Sequence, residues 1–316
     1  MIITPEPPTD SSRHLAGMKS LLSVVGPSSI DPQNPLGATL ERRASFWNFA
    51  RADYQAAYIN NTPTLLDTED WQMWLSCGLQ VSPNGSLYVD PEGLKADPCH
   101  RNTTVQLVSH TLLWILLRTM NYLALPTQDP TTRQAVWDTL TLQLDTWHAH
   151  LPLAFQPSAQ LRHPVSRRSS ATPGGQPTPR SGEISELFFS IPLCAATIQL
   201  YHFARILLLL SKPTQTQTSS RLQAYREVSS QALVHAHSIV GIALGRPHPA
   251  VRVEMLLPLY AAGGCLEADE ERRLVVEVLR AIELDTGCTT EGRVRDLEKE
   301  WGWDQSSLGG LVAVGA

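Results

Sequence analysis

In segment after segment of this chain the apolar residues return every three or four positions, and no segment keeps up an alternation of period two. A strand half-buried in a sheet needs that alternation, so the pattern predicts an all-α fold, an irregular multi-helix bundle. No repeat of fixed length stands out, which argues against a solenoid. The most regular stripe lies in "EADEERRLVVEVLRAIELDTG", where Leu274, Val275, Val278, Leu279 and Ile282 share one face. Acids crowd its first turn and Gly287 follows its end, as the helix dipole and a left-handed cap favour.

The same reading places helices over about 40–60, 102–123, 130–150, 192–210, 219–244 and 290–300, and a short one over 249–263 interrupted by Pro258. "LLDTEDWQMW" reads as a loop in which Asp67 or Thr68 caps a short helix carrying Trp71 and Trp74. Residues 76–99 contain the turn signals "SPNGS" and "DPEG" and read as a long irregular connection. Residues 1–35 form an arm rich in Pro, Ser and Gly, with one short helix in "HLAGMKSLLSVV". The organisation expected is that arm, an all-helical domain over 36–303, and a flexible tail over 304–316. Inside the domain, 157–182 reads as a disordered, mobile surface loop, with four arginines and almost no apolar residues.

At 316 residues and 42% hydrophobic content the chain can bury a sizeable core. Its formal charge of −5, from 30 acidic and 25 basic residues, supplies no basic field for a phosphate backbone, so no direct DNA binding is expected from it. Cys77, Cys99, Cys194, Cys265 and Cys288 are scattered and never form a CxxC pair, which points away from a disulfide framework or zinc cluster and towards a reducing compartment. The N-terminus has no signal-peptide pattern, so secretion is not expected. The two most apolar windows are interrupted by His110, Arg118, His202 and Arg205 and read as buried helices, not membrane spans.

Candidate chemistry concentrates in "FWNFARADYQAAY", residues 46–58. On a helical wheel Phe46, Trp47, Ala50, Tyr54 and Ala57 share one broad sector, while Asn48, Arg51 and Gln55 take the narrow opposite one. Asp53 falls on the mostly buried face, about 160 degrees from Arg51, so the two are not expected to pair with each other. A buried carboxylate must be paired, hydrogen-bonded or protonated. It is either a perturbed acid in a pocket, or a partner for an arginine or for N–H groups at another helix's start; the second reading is preferred because no His, Cys or Ser motif converges with it. Trp71, Trp74, Trp114, Trp137, Trp147, Trp301 and Trp303 read as core before they read as ligand-cavity lining. His235 and His237, like His148 and His150, are two apart, about 200 degrees round a helix, and cannot share a metal. In "RRSS" Arg167 and Arg168 precede Ser170 as suits a basophilic kinase, but such short motifs are common by chance and a solvated loop is the preferred reading. GxSxG, Walker, GxGxxG and kinase signatures are missing, which lowers the expectation of an enzyme.

Several stretches in order resemble the regulatory half of fungal zinc binuclear-cluster transcription factors, the fungal-specific transcription factor or middle homology domain. "HLAGMKSLL" is similar to the start of its central part, and "RRASFWNFARADYQAAYINNTPTLLDTEDW" to its Arg-Ala-x-Phe-Trp helix and acidic-Trp loop. "LQLDTWHAHLPLAFQP", "LYHFARILLLLSKP", "IVGIALG" and the stretch from "LPLYAAGGCLEADEERRLVVEVL" to "WGW" continue it, over roughly 14–303. The resemblance implies a nuclear, all-helical, non-enzymatic regulatory domain in control of transcription, with a biosynthetic gene cluster as one target. It would act through transcription-factor or coregulator contacts, dimerisation, or a small-molecule effector. The chain departs from the family in having no Cys-x2-Cys-x6-Cys element, basic region or heptad segment, so no zinc or other cofactor is expected and no DNA-contacting residue carries over. A truncated gene, a shortened paralogue, or a fragment working with a DNA-binding partner would each account for that. The alternatives are a helical scaffold or dominant-negative partner of intact relatives, and a helical enzyme built on Asp53. Trp47, Arg51, Asp53, Tyr54 and Ser170 are the residues singled out as structural or regulatory candidates.

Overall fold

The computed structural model describes residues 17, 37–80, 98–125, 129–162, 184–213 and 218–303. Their architecture is all-α, with one two-stranded antiparallel sheet as the exception. The chain divides into two compact units, residues 1–156 with 207–217, and residues 157–206 with 218–316.

The first unit is built from α1 (Gly37–Asn60), α2 (Trp71–Ser76), α3 (Pro98–Ala124) and α4 (Pro130–Ala149), with α1 packed on α3 and α3 on α4. α3 is buried nearly all round from Leu112 to Leu117, which explains why its sequence shows an apolar run and not a narrow stripe. Asp129 caps α4 by accepting from Thr131 and Thr132 N–H, with Pro130 at the first helical position. The short helix α2 starts later than the sequence led us to expect. Its N-cap is Asp70, which accepts from Met73 N–H; Asp67 instead turns the loop by accepting from Glu69 N–H, and so cannot open a helix.

The second unit contains β1 (Ala159–Arg162), β2 (Ser185–Phe188), α6 (Thr218–Leu244), α7 (Pro249–Arg252), α8 (Leu256–Gly263), α9 (Asp269–Thr286) and α10 (Glu291–Glu300). The division between the units falls within α5 (Pro192–Leu210). β1 pairs with β2 in the register Ala159 to Phe188 through Arg162 to Ser185. Residues 159–162 belong to the stretch read as a mobile loop, and their strand is a correction to it; residues 163–182 of that stretch, Ser170 included, lie outside the described residues. So do the arm, except Gly17 in helical backbone, the turn signals of 81–97 and the tail.

The strand β2 lies on α6 at two glycines one helical turn apart. A Cβ on Gly241 would sit inside the carbonyl oxygen of Ser185, and one on Gly245 inside that of Leu187. Four helical residues advance about 6 Å and two strand residues about 6.6 Å, so a strand running along the helix meets both glycines in step. α9 follows its sequence closely: its stripe is buried, and Gly287, at φ 73, closes it by donating to Glu283 O at 2.8 Å. Pro258 does not interrupt its helix as expected. It is the third residue of α8, where its missing N–H is not needed, and the break lies upstream in a 3-10 turn over Val253–Met255.

α5 is the one described helix long and apolar enough to cross a membrane, and 78% of its most apolar window is buried within the protein. A core helix meets the same test of length and composition.

Candidate functional site

The chemistry anticipated in 46–58 is assembled on α1, and most of it faces inward. Phe46, Trp47, Phe49, Ala50, Asp53, Tyr54 and Ala57 are all buried, as the wheel required. Asp53 is 1% exposed. Its two oxygens accept from consecutive backbone N–H groups of the loop that follows the helix, Leu65 and Leu66, each at 2.8 Å. These donors are peptide N–H groups in a loop, not at a helix start. The chain reverses after α1 through Asn61, which adopts a left-handed φ of 51, and so comes back alongside Asp53.

The loop is held at almost every residue thereafter. Thr64 N–H donates to Asn121 Oδ1 at 2.8 Å, and Asn121 Nδ2 donates to Thr68 Oγ1 at 3.3 Å. Indole N–H groups then take two loop carbonyls, Trp114 that of Thr68 at 3.1 Å and Trp74 that of Asp67 at 2.9 Å, while Trp47 takes that of Cys77, just past α2, at 3.0 Å. Buried tryptophans thus supply area and donors together. The pattern extends to Trp137 on Leu208 O, Trp147 on Val108 O and Trp301 on Gly263 O, so these aromatics serve packing and backbone satisfaction.

Trp47 also stacks on His110 of α3, with ring centroids 3.8 Å apart and planes 4° from parallel. Burial, and then the nearby Arg51 guanidinium, push the His110 pKa down to about 3, so its ring is neutral against the indole. Arg51, placed by the wheel on the outer sector, is half-buried and reaches back to Trp47 O at 3.4 Å. Tyr54 is fully buried, its hydroxyl within 3.5 Å of Gln55 Nε2. His110 was legible only as an interruption of an apolar window; its spacing of four from Trp114 on α3 was the available signal.

His202, His235 and His237 of the second unit also find partners on other helices. His235 Nδ1 and His202 Nδ1 lie 2.8 Å apart, and His237 Nε2 is 3.1 Å from Glu271 Oε1. Their two-residue spacing sends them to different neighbours, as the wheel implied. Among the described residues no group of three or more His, Cys, Asp or Glu side chains could hold a metal ion.

The sequence is 32% identical over 320 aligned positions to the Transcription activator AMTR1 of Alternaria alternata. The alignment takes in 92% of this chain and 41% of that protein, so the chain is related to a fungal transcription activator and spans about two fifths of its length. No protein-family profile matches the chain, and no solved structure matches it.

Proposed function

We propose that this chain is the regulatory part of a fungal transcription factor, acting in the nucleus through contacts with other transcription-factor or coregulator chains. The observation that carries the reading is the sequence similarity to a transcription activator along nearly the whole chain. The all-α architecture agrees with it. So does the satisfied, inward-facing state of Asp53, which leaves that carboxylate no route to a substrate. With a net charge of −5 the chain would depend on a partner for sequence-specific DNA contact. A small-molecule effector and a biosynthetic gene cluster as target belong to the same proposal.

The experiment is a reporter assay in a filamentous fungus, with the chain fused to a heterologous DNA-binding domain. Expression should change relative to the DNA-binding domain alone. An unchanged reporter, with the fusion present in the nucleus at normal abundance, would sink the reading. Gel-shift measurements at physiological salt provide the complementary check: tight binding of the unfused chain to promoter DNA would contradict the dependence on a partner.

A further inference from the structure

In the second unit, Asp285, in the last turn of α9, lies between two guanidinium groups. Arg252, the last residue of α7, pairs with it through Nη1, and Arg246, in the turn after α6, lies with Nη2 at 3.5 Å from the same carboxylate oxygen. A carboxylate at a helix C-terminus faces the negative end of the dipole, and cations beside it offset that. Here two cations meet one carboxylate, which leaves the group with a surplus positive charge.

The two arginines differ in what they still need. The Arg252 side chain is 3% exposed, and its Nε–H is buried without an acceptor among the described residues. A guanidinium buried with a donor unmet is costly. Arg246 is 69% exposed and only loosely held. One event would resolve both conditions. An incoming oxyanion that takes Arg246 away frees Asp285 to close side-on over Arg252, across Nη and Nε, in the two-bond arrangement that guanidinium and carboxylate favour.

We propose that Arg246, Asp285 and Arg252 form an oxyanion-binding site, with Arg246 as the contacting residue and Asp285 and Arg252 as the pair that tightens behind it. The ligand class is a small molecule bearing a phosphate or a carboxylate. Shape does not separate these two, since both fit a guanidinium fork.

The test uses the whole chain at constant ionic strength, with inorganic phosphate and acetate as separate probes and chloride as the blank. Calorimetric titration should show saturable binding of at least one probe, weakened about tenfold or more in Arg246→Gln. Arg133→Gln, an arginine of the first unit, should bind like the parent. Nitrogen-detected spectra of arginine side chains should show the Arg252 Nε–H moving on addition of the effective probe and staying still in chloride. The phosphate and acetate arms identify which oxyanion is preferred. Absence of saturable binding by both probes, or equal affinity in Arg246→Gln, would overturn the site. Because Arg246 is exposed, its variant should fold, and circular dichroism checks that.

Discussion

The two units hold their non-helical segments by opposite means. In the first, the loop after α1 is bound by polar groups that reach out to it: the Asp53 carboxylate, the Asn121 amide and the indole N–H groups of Trp114 and Trp74. In the second, β2 is held where side chains are missing, at Gly241 and Gly245, and its carbonyls rest on the helix backbone. The difference teaches what each attachment tolerates. A hydrogen-bonded loop fails by losing an acceptor, whereas a close backbone contact fails by gaining a methyl group.

The contrast is broken most severely at the glycines. Gly241→Val should destabilise the protein by about 3 kcal/mol or more, because the obstructing atoms are strand backbone and cannot rotate away. Urea unfolding followed by circular dichroism reads that loss. If the variant matched the parent, the strand would not lie on Gly241 as described. Next comes Asp53→Ala, expected to cost about 2–4 kcal/mol by leaving two buried or half-buried N–H groups without acceptors. Hydrogen exchange should localise the effect, with the amides of Leu65 and Leu66 losing protection before those of α3. Uniform loss of protection across the first unit would mean that Asp53 supports the helix and not the loop.

The same contrast separates what was legible in the sequence from what was not. Burial of Asp53 could be read from the wheel because helix geometry fixes which face a residue occupies. Its partners could not, since the reversal at Asn61 that brings Leu65 and Leu66 back depends on a left-handed residue with no glycine to announce it. "IVGIALG" was visible as a motif, but its use as a strand seat was hidden. β1 and β2 are only four residues each, too short to show a period, and β1 is exposed throughout and carries no apolar signature. α9 was transparent because its stripe, its acidic first turn and its terminal glycine all gave one answer. Sequence does not single out Asp70 as the cap because Asp67, Thr68 and Asp70 are all competent capping residues, and only the turn made by Asp67 decides among them.

Two effects of pH, both read in the acid range, sharpen the comparison further. His110 has a folded pKa of about 3, below its ordinary 6.5, so between those values the unfolded chain binds the extra proton. Stability from the Trp47 stack is therefore complete above about pH 6.5 and declines as pH falls towards 3, with a limiting slope of one proton. His110→Phe should remove that slope when parent and variant are unfolded in urea across the range, while His150→Phe, on the exposed end of α4, should keep it. In the second unit, Glu283 accepts from both the N–H and the hydroxyl of Thr290, at 3.1 and 2.8 Å, and these bonds hold its carboxyl below the usual range. Its contribution is present above the ordinary carboxyl pKa of 4.5 and is lost as pH falls through the lowered value. Glu283→Gln keeps an acceptor oxygen but removes the charge, so it should loosen the start of α10 only slightly and abolish that acid-range dependence. Exchange at the Thr290 and Val294 amides is the sensitive readout. An undiminished pH dependence there would assign it to the neighbouring acids of α9 and α10 instead.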